Sequence, residues 1–181
     1  MVFVPYLTWR PPRLRPVEAL RYEYPVFYRR ASTLRRLYPN QPLVGVGAVV
    51  VRSGKILLEK RKNEPGKGKW SIPGGLVELG EKTEQTVIRE AKEETGLDLE
   101  KPEQIDVVDS VTEDEKGKIK YHFVIIDYFA KLTGGTLKAS SDAEELKWVQ
   151  FELVETYDLT NSFRAFFQRN RQKIEAFSSC P

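Results

Sequence analysis

From residue 43 onward the chain alternates between apolar runs and short polar breaks. LVGVGAVVV, residues 43–51, is β-branched and almost wholly apolar, which predicts a buried strand. Ser53-Gly54 marks a turn, and KILLEKR, residues 55–61, predicts a second strand antiparallel to the first. KNEPGKGK is a polar loop rich in glycine and proline. A short apolar stretch, Trp70-Ser71-Ile72, then runs into Pro73-Gly74-Gly75. Between Thr83 and Thr95 the apolar period changes to that of a helix, with Thr83 as its cap, Glu84 in its first turn and Gly96 as its stop. QIDVVDSVT and KIKYHFVIIDYFAKL predict two more strands, joined by the polar turn EDEKGK, and ELKWVQF predicts a short one. The last element, residues 161–177, places Phe163, Phe166, Phe167, Asn170, Ile174 and Phe177 at helical spacing, a face suited to packing on a sheet. Strands, helix, strands and helix in that order predict an α/β (α+β) fold in which helices cover a mixed sheet.

Composition narrows the class. With 181 residues, 40% hydrophobic and 30% charged, the chain suits a soluble globular domain with a real core. No run of about 18 apolar residues exists, so no membrane span is expected. MVFVPYLTWRPPR, interrupted by Pro5, does not read as a signal peptide. One cysteine, Cys180, excludes an internal disulfide, and the expected location is the cytoplasm.

The net charge of +3 conceals an asymmetry. Residues 1–40 hold eight arginines, no lysine and two glutamates, with six prolines and eight aromatics. Two segments are therefore expected, a basic aromatic arm at 1–40, with a short helix around residues 31–38, and a domain at 41–181. Arginines interleaved with tyrosines could grip RNA and stack on its bases. An arm packed on the domain, or on the second subunit of a homodimer, is the favoured reading, because aromatic side chains bury surface readily.

The stretch REAKEETG, residues 89–96, brings in candidate chemistry. At about 100° per residue, Glu90, Glu93 and Glu94 project within roughly a third of the helix circumference. Like charges at this spacing cost a few tenths of a kcal/mol unless something answers them. A solvated acidic face is one reading. The other is a divalent cation, and oxygen-only ligands would select Mg²⁺ or Mn²⁺. The flanks favour the cation. Pro73-Gly74-Gly75 lets backbone carbonyls approach a metal closely. Arg89 can orient carboxylates through its planar fork, and Glu81 can join that network.

Gly75, five residues, Glu81, seven residues, then Arg89-Glu90-Ala91-Lys92-Glu93-Glu94-Thr95-Gly96-Leu97 fills every fixed position of a 23-residue signature. On these residues the chain resembles the Nudix hydrolases, most closely the ADP-ribose pyrophosphatase-like branch, from about Leu43 to Trp148. The resemblance implies an α/β/α sandwich around a mixed sheet, and hydrolysis of a nucleoside diphosphate linked to another moiety. It implies Glu90, Glu93 and Glu94 as metal ligands with the Gly75 carbonyl as a fourth, and Arg89 and Glu81 as the groups that orient them. For the base that takes a proton from the attacking water, the candidates are Glu93, Glu94 and the acids of SSDAEEL, among which Glu145 is preferred. About sixteen residues past the signature, where ADP-ribose hydrolases often carry proline, this chain has Glu113. The alternatives are an oxidised or ordinary nucleoside triphosphate, a capped RNA end, or a protein that binds nucleotide or RNA without catalysis. Intact Glu90, Glu93 and Glu94 argue against the last, since a binder does not need all three.

Overall fold

The computed structural model describes residues 35–139 and 143–178. The chain divides into two units, residues 1–35 and 36–181, and the second contains everything discussed below. Residues 1–34 of the expected arm, Asp142 of the acidic loop and Cys180 lie outside the described residues. Of the helix expected around residues 31–38, the part that is described is not helical: Tyr38 has φ of 50°. Its backbone N–H donates to the Lys120 carbonyl at 2.8 Å and its hydroxyl to Asp114 at 3.0 Å.

Two sheets and two long helices make the body. The first sheet has the order β1 (Leu43–Val49), β6 (Ile119–Gly135), β5 (Leu97–Glu113), with β1 parallel and β5 antiparallel to β6. In the second, β3 (Lys55–Arg61) pairs on one side with β7 (Ala143–Gln150). On its other side it pairs with β2 (Val51–Arg52) and β4 (Trp70–Ser71). Helix α1 is Thr83–Thr95; a short 3₁₀ helix, Phe151–Thr156, precedes α2, Asn161–Ser178.

The strand expected over residues 43–51 is divided between the sheets. β1 pairs with the distant β6, and only Val51 and Arg52 form the hairpin with Ile56 and Lys55. Val50 is where the chain changes sheets. It remains fully buried, and its carbonyl accepts from the Leu57 N–H at 2.9 Å. The free edge of β1 is closed by the segment after β4. Ala48 N–H donates to the Pro73 carbonyl, Val46 N–H to Gly75 and Val77 N–H to Val44, at 2.8, 2.9 and 3.0 Å. Pro73-Gly74-Gly75 is thus clamped against the first sheet before the helix begins.

Side-chain alternation divides the interior into two cores. Val46, Ala48, Val50 and Leu57 pack under Val87 and Ala91 of α1. Val49, Ile56, Leu58 and Phe129 pack against Phe163, Phe166, Phe167 and Ile174 of α2. Each fully buried Leu, Ile or Phe contributes roughly 1.5–3 kcal/mol of transfer free energy. These faces therefore hold the helices in place.

Candidate active site

Helix α1 begins after Lys82, which occupies the cap position, so Thr83 is not the cap. The Thr83 hydroxyl instead shares a hydrogen bond of 2.7 Å with the Tyr128 hydroxyl on β6. The tertiary contact outcompetes the local one. At the other end Gly96 has φ of 73°, and its N–H closes on the Lys92 carbonyl. Thr86, Val87, Ala91 and Thr95 form the buried stripe. With that stripe inward, Glu90 and Glu94 face the Gly74-Gly75 turn, while Glu93 is exposed.

Arg89 ties the acids together. Its Nε and Nη2 donate to both oxygens of Glu81 at 2.9 Å, and its Nη1 donates to Glu90 at 2.9 Å and to Glu93 at 3.1 Å. The Thr86 hydroxyl adds a bond to Glu81 at 2.8 Å. The Arg89 guanidinium holds the Glu81 carboxyl down at about 2, and the acids around it raise the pKa of Arg89. This bidentate fork fixes Glu81, and through it the start of the helix, relative to the two glutamates further along.

The glycines act by close approach. A β-carbon on Gly75 would collide with the Glu90 carboxyl, and one on Gly74 with the Val46 carbonyl oxygen. The Gly74 N–H donates to Glu94 at 2.7 Å. Burial pushes Glu90 up, against the opposing pull of Arg89. Glu94 is pushed up further, first by burial and then by the charge of Glu59, whose carboxyl lies within hydrogen-bonding reach of it. Glu59, on β3, is 5% exposed. The sequence reading did not include it. The signal that could have found it is alternation. In KILLEKR, Leu57 and Glu59 share a face, and that face is core.

Of the residues expected to act together, Gly75, Glu81, Arg89, Glu90, Glu93 and Glu94 are assembled here. Glu145 is not brought to them by register. It pairs with Lys60 across β3 and β7, on the face opposite Glu59, and its neighbour Glu144 forms an ion pair with Lys60 at 2.7 Å.

The donors at the site are all oxygens: three or four carboxylates and the Gly75 carbonyl. That carbonyl accepts from Val46 with one lone pair and keeps a second. Such a set fits Mg²⁺ or Mn²⁺. Among the described residues no three acidic groups already converge on one point, so ligation would need rotation of side chains on a fixed backbone. The raised Glu90 and Glu94 carboxyls are what a cation would relieve. No described helix is long and apolar enough to cross a membrane.

Residues 41–169 match the NUDIX domain profile. The chain is 37% identical over 151 residues to an ADP-ribose pyrophosphatase of Methanocaldococcus jannaschii, covering 83% of this chain and 82% of that one. It is 36% identical over 107 residues to a putative 8-oxo-dGTP diphosphatase of Bacillus subtilis, covering 57% of this chain and 64% of the relative. Among solved structures it is similar to a MutT NUDIX hydrolase from Burkholderia pseudomallei, with TM-score 0.61 and 35% identity over 71% of this chain and 98% of that one.

Proposed function

This chain belongs to the Nudix hydrolase family, and we propose that it hydrolyses the phosphoric anhydride of a nucleoside diphosphate linked to another moiety, with ADP-ribose as the favoured substrate. The observation that carries this reading is the Arg89 network. One guanidinium holds Glu81, Glu90 and Glu93, while Glu94 is set against the Gly74 amide. The choice of substrate is supported by the likeness to the M. jannaschii enzyme along most of both chains.

Glu90, Glu93, Glu94 and the Gly75 carbonyl would hold Mg²⁺ or Mn²⁺. Bound there, the cation would neutralise diphosphate charge and make the attacking water more acidic. Glu93 is the acid best placed to take the water's proton, since it is the most solvent-accessible of the three and Arg89 steadies it. The water oxygen attacks one phosphorus in line and the bridging oxygen leaves with the other phosphate, so ADP-ribose yields AMP and ribose 5-phosphate. The enzyme is read as cytoplasmic.

Glu113, standing where a proline is common in ADP-ribose hydrolases, keeps a nucleoside triphosphate, oxidised or not, as a second reading. A panel of ADP-ribose, 8-oxo-dGTP, unmodified triphosphates and capped RNA, assayed with Mg²⁺ and with EDTA, separates them. ADP-ribose cleavage that EDTA abolishes is the expected result. Cleavage of triphosphates with ADP-ribose untouched would sink the substrate assignment.

A further inference from the structure

The Gly75 carbonyl is the one backbone oxygen among the proposed ligands, so no side-chain rotation can carry it to a cation. Its place is set by its contacts with β1. Val46 N–H donates to it at 2.9 Å, and Val77 N–H donates to the Val44 carbonyl at 3.0 Å. Between these two bonds, Gly45 and Leu76 are opposed as an antiparallel bridge. A β-carbon on Gly45 would stand 3.2 Å from the Gly75 oxygen and 3.8 Å from the Leu76 side chain. The second distance is ordinary contact. At the first, the carbonyl would have to give by a few tenths of an ångström. Backbone conformation does not call for glycine here. Gly45 is buried in β1 and is not among the residues with positive φ, and glycine weakens a strand relative to alanine. Gly47, the next glycine of β1, differs: a β-carbon there would meet the ends of the Asp127 and Ile72 side chains, not a backbone oxygen.

We infer that Gly45 is a positioning residue for the metal site: by carrying no side chain, it lets the Gly75 carbonyl lie where a cation held by Glu90 and Glu94 would meet it. The inference rests on the reading of this site as a metal centre. It adds to that reading a residue of β1, outside the loop and helix that carry Gly75 to Glu94. The consequence is selective among cations. Mg²⁺ demands near-ideal octahedral geometry at about 2.0–2.1 Å, whereas Ca²⁺ accepts looser geometry at about 2.3–2.6 Å. A carbonyl displaced by a few tenths of an ångström therefore costs Mg²⁺ more than Ca²⁺.

The test uses the full chain stripped with EDTA. Mn²⁺ is titrated while the electron paramagnetic resonance signal of free Mn²⁺ is followed, Mg²⁺ and Ca²⁺ are measured by displacing it, and the melting temperature is recorded in EDTA. Gly45→Ala should weaken Mg²⁺ binding about tenfold, the size of effect seen when a group that orients a ligand is altered. Ca²⁺ binding should weaken less. The variant should melt in EDTA at or above the wild-type temperature, because alanine suits a strand better than glycine. That combination, metal affinity lost with the metal-free fold retained, is one that a purely structural role would not produce. Unchanged Mg²⁺ affinity would overturn the inference. So would equal weakening of both ions, or a variant that fails to fold or melts well below wild type in EDTA, since each would make Gly45 a packing requirement of β1. Wild-type protein that binds none of the three ions would overturn the metal reading itself, a separate outcome.

Discussion

The protein brings two acids near each other at two places, and it treats them differently. On the α2 side, Asp106 of β5 and Asp127 of β6 are register partners. Helix α2 answers them: Arg169 donates to Asp106 at 2.6–2.7 Å, and the buried Asn170 at 2.6 Å. Burial alone would raise Asp106, but the Asn170 and Arg169 bonds outweigh it and its pKa is lowered. Asp127 is left to bear the cost, pushed up to about 7 by burial and by the Asp106 charge. On the α1 side, Glu59 and Glu94 meet, and among the described residues no ion pair reaches Glu94. It accepts instead from the Gly74 backbone amide at 2.7 Å. The protein's own donors satisfy Asp106, which locks a helix to a sheet. At the second place, Glu94 takes a backbone amide, that of Gly74, and no side chain of α2 is involved. A nearly buried acid is therefore not by itself a functional signal; what matters is whether the fold supplies its counter-charge.

The largest expected effect falls on the second pair. Glu94→Gln keeps the shape and removes the charge, and should lower kcat by on the order of 10²–10³-fold or more, as removal of a group that stabilises the transition state does. Its melting temperature in EDTA should be unchanged or higher, since burial already disfavours the charge that the amide removes. Near-wild-type turnover would place Glu94 with the structural pair. Arg89→Lys comes next. A lysine cannot reproduce the fork on Glu81 or span Glu90 and Glu93 at once, so turnover should fall about 10–100-fold, with a weaker apparent Mg²⁺ affinity. Equal turnover at all Mg²⁺ concentrations would show that the fork is not needed for positioning.

Asp127→Asn tests the α2 side through pH. The folded pKa of about 7 lies above the ordinary carboxylate value, so the folded state holds a proton that the unfolded chain has released between about pH 4 and pH 7. Stability from this group is complete below about pH 4 and is lost as pH rises through about 7. The amide should therefore stabilise the protein by up to roughly 4 kcal/mol at pH 8 and by nothing near pH 4, with hydrolysis unaffected. A melting difference that does not vary with pH would contradict this. The smallest effect is expected at Glu145. On the face opposite Glu59, Glu145→Gln should alter turnover by less than about threefold, as surface changes usually do. A hundredfold loss would instead make Glu145 the proton acceptor and move the comparison's functional side onto β7.

Local chemistry determined a large part of this protein. The period of α1, its stop at Gly96, and the clustering of Glu90, Glu93 and Glu94 all depend on residues within one or two helical turns. Their spacing alone places them. The strands before and after α1 were legible for the same reason, as was the apolar stripe of α2. Gly75 and Glu81 were legible because the short connection between them limits where they can lie. Tertiary structure decided what spacing cannot carry. It divided residues 43–52 between two sheets, because β6, more than seventy residues away in sequence, offers β1 a longer ladder than the hairpin does. It took the Thr83 hydroxyl from the helix cap to Tyr128. It turned Glu145 to the face opposite Glu59 through its register with β3. And it brought Glu59, thirty-five positions before Glu94, against that residue. Whether a buried acid meets an arginine or another acid depends on which strands and helices become neighbours. Those pairings are set by the packing of the whole chain.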